Sequence, residues 1–177
     1  MLCFRSVCSP ACTVRGARLA VCNPAGLEAV LPGPTGERNV YRVQARQRVL
    51  CQAGAHAGAA DDLLSQIAAV LAVGGHALLH ARFASLHAQL PAAVQASVVL
   101  LAAQDVHRAE AALIHADASE VLTLTQQLAM QAGPIISLTA LAPGRVDVPL
   151  ARLVTERSVS TNTAAAGGNA SLMTLQA

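Results

Sequence analysis

The sequence predicts an α/β fold, in which a Rossmann-like, mainly parallel sheet has helices on both faces. Two observations support this prediction. From Leu31 onward, short apolar segments typical of strands alternate with amphipathic segments of helical length. Such alternation indicates βαβ crossovers, and the uncharged later strands fit a parallel sheet that is covered on both faces.

The first predicted elements follow a loop at Leu31–Gly36, where two prolines and two glycines favour turns. Asp61 and Asp62 are expected to open a helix, because carboxylates complement the positive end of the helix dipole. Gly74-Gly75 is expected to end this helix. Its apolar stripe is Leu63, Leu64, Ile67, Val70 and Leu71. Strands are predicted at Val40–Val43, Arg48–Cys51 and His76–Leu79.

The alternation continues beyond the third predicted strand. A helix is predicted over Ala81–Gln89, ending near Pro91. Asp117 and Glu120 have the spacing of a capping box at the start of another helix, which Gly133-Pro134 ends. That helix is expected to bury Val121, Leu124 and Leu128. Further strands are predicted at Ser97–Leu101, Ala111–His115 and Ile135–Leu138.

Three regions are predicted along the chain. Residues 1–30 carry four of the five cysteines and show no sustained period, so we expect an irregular, poorly ordered segment. Residues 31–150 form the α/β domain. Residues 151–177 are expected to form an extended flap and a tail of small residues.

Composition argues against several classes of protein. The net charge is only +2, all twelve basic residues are arginines, and three aromatic residues are present, so nucleic-acid binding has little support. Two uncharged stretches are interrupted by Gly74-Gly75 and Pro91, which argues against a membrane span. Arginines interrupt the first twenty residues, so no secretory signal is predicted, and we expect a cytoplasmic protein with free thiols.

Candidate catalytic and ligand-binding motifs are weak. Gly54–Gly58 lies between a predicted strand and helix, as a dinucleotide loop would, but its two glycines are four residues apart and the close-approach glycine is missing. Both an ordinary βα loop and a nucleotide site therefore remain open. None of the six histidines forms a metalloprotease motif, and Cys51 ends an apolar strand. The sequence predicts no catalytic, cofactor-binding or metal-binding residue.

The last segment is unusual. Glu156–Met173 is rich in Ser, Thr, Asn, Ala and Gly, which is typical of a flexible tail or of an insert that contacts another surface through its backbone. This run closely resembles the C-terminal end of proline utilisation A, a bacterial family of bifunctional proline dehydrogenases and glutamate-semialdehyde dehydrogenases. Leu31–Asn39 resembles the stretch after that family's aldehyde dehydrogenase site. Arg48–Cys51 and Leu71–Gly74 also resemble family positions.

The resemblance implies a non-catalytic domain. Family members use FAD and NAD, pass 1-pyrroline-5-carboxylate through an internal tunnel, and in longer forms add a C-terminal domain that resembles an aldehyde dehydrogenase nucleotide-binding domain. The matching motif would cover the tunnel and the aldehyde dehydrogenase site. Its expected contact residues are Glu156, Arg157, Ser158, Asn162, Thr163, Gly167, Gly168, Asn169 and Ser171.

Several further expectations follow from that resemblance. The partners would be the family's proline dehydrogenase and aldehyde dehydrogenase domains, and the flap is a candidate surface for homo-oligomers. This chain lacks the barrel, the catalytic cysteine and the NAD-binding segments, so it is expected to be inactive and to hold no cofactor alone. A stand-alone Rossmann-like module that binds a nucleotide at Gly54–Gly58 is the alternative.

Overall fold

The computed structural model describes residues 23–163 except 103, 104, 106 and 107. The described residues belong to two compact units. The first contains Ala45–Thr155 with the described end of Met1–Ala25, and the second contains Gly26–Gln44 and the described residues 156–163.

A five-stranded parallel sheet is the centre of the first unit. Its strands are β3 (Arg48–Ala53), β4 (His76–His80), β5 (Val98–Leu101), β6 (Ala111–His115) and β7 (Ser137–Leu141). The spatial order is β5-β4-β3-β6-β7, and all four pairings are parallel. The chain therefore builds the sheet outward from β3 in one direction and then, beginning with β6, in the other.

Helices cover both faces of this sheet. They are α1 (Ala59–Ala72), α2 (Ala84–Gln89), α3 (Ala92–Gln95) and α4 (Ala118–Ala129). On one face Leu63, Ile67 and Val70 of α1 are buried beside strand residues such as Leu113. On the other face Leu124 and Leu128 of α4 join the core cluster of Leu50, Leu78, Ala112 and Ile114. Successive side chains of a strand point to opposite faces of the sheet, so the strand residues on the α1 face alternate with those on the α4 face.

The second unit contains a three-stranded sheet. Its strands are β1 (Glu28–Leu31), β2 (Glu37–Ala45) and β8 (Val154–Asn162), in the order β1-β2-β8. β1 and β2 pair in an antiparallel hairpin around the Pro-Gly loop, where Gly36 adopts a φ of 85° that favours glycine. None of the helices in the described part of the chain is long and apolar enough to cross a membrane.

The predicted fold class is confirmed. The predicted elements β2, β3, β4, β5, β6, α1 and α4 are all present, and Gly74 ends α1 with a left-handed φ of 87°. The predicted helix Ala81–Gln89 is divided into a 3-10 turn at Ala81–Phe83 and α2. Residues 28–30, expected to be irregular, and Leu31, expected to begin a loop, form β1 because they pair with Asn39–Arg42.

Two local predictions were wrong. β7 begins at Ser137 and not at Ile135, whose side chain is 97% exposed, because the register with β6 starts with the pair Ala111 and Ser137. The reciprocal half of the capping box is also not formed. Asp117 caps α4 as predicted by accepting from the backbone N–H groups of Ser119 and Glu120, but the Glu120 carboxylate contacts the loop after β3 instead.

Candidate functional site at the carboxyl ends of the parallel strands

A cleft of about 560 Å³ lies at the carboxyl ends of the parallel strands, beside the point where the sheet order reverses. Ligands of open α/β sheets bind at this position, because the loops on either side of the reversal diverge and leave a crevice. Most of the polar lining comes from the end of β3, the end of β4 and one face of α4. The cleft is lined by Gln52, Ala53, Gly54, His80, Arg82, Ile114, Ser119, Glu120, Thr123, Leu124, Gln127 and Gln131.

The carboxylate of Glu120 lies against the loop that follows β3. Its Oε1 accepts a hydrogen bond from the backbone N–H of Ala55 at 2.8 Å. A Cβ atom added at Gly54 would come within 1.9 Å of Oε2, so glycine is needed there for this close approach. Gly54 therefore has the role of a close-approach glycine, but the anion that approaches it belongs to the same chain.

Arg82 supplies the positive charge of the cleft. Its Nη2 donates to the side-chain oxygen of Gln52 at 3.1 Å and to the backbone carbonyl of Ala53 at 2.9 Å. The guanidinium also stacks over the Phe83 ring, 4.6 Å from its centroid. These contacts hold the arginine at the end of β3, where its remaining N–H groups can meet a ligand anion.

A histidine–aspartate pair links the loop after β3 to the first turn of α1. His56 Nε2 is 2.7 Å from Asp62 Oδ2, and both carboxylate oxygens of the buried Asp62 accept from the backbone N–H of Gly144. The opposite ring atom, Nδ1, is buried without a hydrogen-bond partner, and His56 does not line the cleft. A general base must reach its substrate, so this pair is better suited to connecting the loop after β3 with the loop after β7.

A second polar network includes the backbone of Gln52, a residue that lines the cleft. Gln66 exchanges two hydrogen bonds with the backbone of Gln52, at 3.0 Å and 2.7 Å, and its side-chain nitrogen is 2.7 Å from Nδ1 of His115. His115 Nε2 donates to the carbonyl of Arg145 at 2.7 Å. Gln66 and His115 are fully buried, so these bonds compensate for the loss of water around them. His115 is thus a structural histidine in the core.

Cys51 is not placed for nucleophilic chemistry. The thiol is fully buried in β3, and burial raises its pKa far above the usual range, which keeps it protonated. Among the residues that the structure describes, no group of three His, Cys, Asp or Glu side chains could hold a metal ion.

Five of the nine residues predicted for the contact motif lie in the described part of the chain. Glu156, Arg157, Ser158 and Asn162 are exposed on β8, and the backbone N–H of Thr163 donates to the carbonyl of Gly36 at 2.7 Å. Gly167, Gly168, Asn169 and Ser171 lie outside the described residues.

β8 is anchored to β2 by side chains as well as by the backbone. Ser160 hydrogen-bonds to Asn39, and the Tyr41 hydroxyl hydrogen-bonds to the Glu156 carboxylate. Loss of hydration, followed by the negative charge of Glu156 and this hydrogen bond, raises the pKa of Tyr41. The motif therefore begins on a strand that pairs with β2.

Sequence reasoning identified the loop but missed the residues that complete the cleft. Arg82 and Glu120 come from two other segments, and no motif links them to Gly54–Gly58. One signal in the sequence could have indicated Glu120. Asp117 can accept hydrogen bonds from the first backbone N–H groups of the helix by itself, and the glutamate three residues later can then bind another segment.

The chain is similar to curated proteins named bifunctional protein PutA. It is 44% identical over 155 residues to the protein of Salmonella typhimurium, 43% over 158 residues to that of Escherichia coli, and 36% over 159 residues to that of Rhizobium meliloti. Each match covers 85% of this chain. The chain spans only 11% of the first two proteins and 13% of the third.

Solved structures show the same fold. A structure of proline utilization A (PutA) with proline bound in remote sites matches 67% of this chain and 14% of its own, with a TM-score of 0.50 and 21% identity. The D778Y mutant of Bradyrhizobium japonicum PutA matches the same shares with a TM-score of 0.50 and 22% identity. No protein-family model matches the chain. By sequence, the chain is a homologue of a segment that makes up about a tenth of the Salmonella and Escherichia PutA proteins.

Proposed function

We propose that this chain is a non-catalytic structural and lid domain of a bifunctional, cytoplasmic enzyme that converts proline to glutamate through 1-pyrroline-5-carboxylate. In this proposal the sheet of the first unit is a scaffold, and β8 with the residues after it covers the aldehyde dehydrogenase site and its tunnel. FAD and NAD would be held by other domains of the parent enzyme, which are also the partners of this one.

The exposure of β8 is the observation that carries the lid role. Every residue from Glu156 to Asn162 is exposed, although β8 is nine residues long and the motif that resembles the family's lid begins there. A strand that buries so few of its own side chains contributes little to a core. Its exposed residues, which include Val159, suit contact with another surface.

The inactivity of the chain by itself is supported by Cys51. A thioester-forming aldehyde dehydrogenase needs an accessible thiolate, and this thiol is buried and protonated. The cleft likewise places no described cysteine beside Arg82 or Glu120.

The lid role is tested in the full-length Salmonella relative. The stretch corresponding to Glu156–Thr163 is replaced by a Gly-Ser linker of equal length, and a control variant replaces the residue corresponding to the exposed Gln126 by alanine. We expect the linker variant to lose most of the coupled conversion of proline to glutamate and to keep proline dehydrogenase activity measured alone. Unchanged coupled conversion would contradict the lid role.

A stand-alone nucleotide-binding module is the second candidate, and the cleft at the sheet reversal favours it. Titration of the chain with NAD in a calorimeter separates the two candidates. The lid role predicts no binding heat, whereas the module predicts saturable heat that the substitution Arg82→Ala weakens.

A further inference from the structure

We propose that Glu120 is an internal anion that occupies the loop after β3 and thereby closes the cleft to ligands that carry phosphate. This is an autoinhibitory contact within the fold, and it is independent of the lid role. The class of ligand that it excludes is a pyrophosphate or a nucleoside diphosphate.

The contact involves both oxygens of the carboxylate. Oε1 accepts from the N–H of Ala55, and Oε2 lies over Gly54, at the place where a Cβ atom would otherwise stand. In open α/β sheets the loop after the first strand and the following helix receive a ligand phosphate on their N–H groups. Here an anion is already present in that position.

Glu120 is available for this contact because Asp117 performs the capping of α4. Asp117 Oδ1 accepts from the N–H groups of Ser119 and Glu120, so the first amides of the helix have a partner without the glutamate. The Glu120 side chain is then extended toward β3, across the sheet reversal between β3 and β6.

The rest of the cleft retains features that suit an anion. Arg82 and His80 line the side formed by β4 and the turn after it, and three glutamine side chains, Gln52, Gln127 and Gln131, line the cleft as well. A phosphate that entered would meet the Arg82 guanidinium but also the Glu120 carboxylate, and the repulsion between the two anions opposes binding. The carboxylate therefore determines whether the cleft accepts phosphate.

The test measures binding of pyrophosphate and ADP to the full chain by calorimetry. The variants are Glu120→Ala, Glu120→Gln and, as a matched control, Gln126→Ala, which shortens an exposed α4 side chain that does not line the cleft. We expect Glu120→Ala to bind pyrophosphate at least roughly tenfold more tightly than the unmodified chain, the gain expected from one hydrogen bond to a charged group. Glu120→Gln should show a smaller gain, and Gln126→Ala none.

Two results would overturn the proposal. If the unmodified chain binds pyrophosphate as tightly as Glu120→Ala, the carboxylate excludes nothing. If neither Glu120 variant binds more tightly than the unmodified chain, the loop is not a phosphate site that Glu120 occupies. Should Glu120→Ala fail to fold, the isosteric Glu120→Gln decides: a gain in binding supports the proposal, and no gain overturns it.

Discussion

The side-chain nitrogen of Gln66 lies 2.7 Å from Nδ1 of His115, and both side chains are fully buried between α1 and β6. Because Nε2 of His115 donates to the carbonyl of Arg145, Nδ1 is the acceptor and the ring is the neutral Nε2–H tautomer. Gln66 meanwhile satisfies both backbone groups of Gln52. One amide thus connects a helix, two strands and, through His115, the loop after β7.

Replacing Gln66 by leucine is expected to destabilise the chain by about 2–4 kcal/mol, because buried polar groups of Gln52 and His115 lose their partners. Urea unfolding monitored by circular dichroism measures the change. Gln127→Leu, at an exposed position of α4, is the control and is expected to shift the free energy of unfolding by less than about 0.5 kcal/mol. Equal effects of the two substitutions would show that the network contributes nothing.

Gly54→Ala is expected to destabilise the chain by about 0.5–1 kcal/mol, because the Glu120 carboxylate must move away and the N–H of the exposed Ala55 exchanges this acceptor for water. In the Glu120→Ala background the same substitution should cost much less, since the clash has been removed. Gly58→Ala is the control. Its φ of 93° strains any other residue although the space is open, so Glu120→Ala should give no relief there. If the free-energy changes of Gly54→Ala and Glu120→Ala are additive in the double variant, the two residues are not in contact and the prediction is wrong.

Glu156→Gln is expected to lower the pKa of Tyr41, because the negative charge that disfavours the phenolate is removed. The chain contains one tyrosine and no tryptophan, so absorbance of the tyrosinate near 295 nm during an alkaline titration reports this residue alone. Arg157→Gln, on the neighbouring position of β8, is the control: it removes a positive charge, so it should leave the pKa of Tyr41 unchanged or raise it slightly. An unchanged titration in Glu156→Gln would contradict the contact between β2 and β8.

The stability contributed by Asp117 is expected to be lost in acid. The pKa of Asp117 lies below the ordinary value of an aspartate. The main cause is the hydrogen bond that the backbone N–H of Glu120 donates to the carboxylate, and hydrogen bonds from Ser119 add to it. The contribution is therefore fully present above the pKa of the unfolded chain and disappears as the pH falls through the lower pKa of the folded chain. Thermal unfolding between pH 7 and pH 2 measures it. Asp117→Asn keeps a capping acceptor without a charge, so its melting temperature should fall less over this range. If the melting temperatures of the unmodified chain and of Asp117→Asn fall equally between pH 7 and pH 2, the Asp117 charge contributes no stability and the prediction is wrong.

Local chemistry determined most of the elements. Gly74 ends α1 because only glycine adopts its φ readily, and Asp117 begins α4 because a carboxylate satisfies the first amides of a helix. The apolar strands of the parallel sheet could be read from the alternation of short apolar segments and helical ones. Each of these signals acts between residues that are close in sequence, so a single sequence contains it.

Only the tertiary structure decided which strands pair and which distant polar groups come into contact. β1 forms because a partner strand, β2, satisfies its backbone, and β7 starts at Ser137 because β6 sets its register. Glu120 contacts a loop 65 residues earlier, and Asp62, predicted at the start of a helix, is buried and accepts from Gly144. Such contacts depend on the packing of distant segments, where the loss of water decides which polar groups must meet. The sequence by itself therefore determined the fold class and the relationship to PutA, whereas the cleft and the carboxylate that occupies its loop were decided by the packing of α4 against β3.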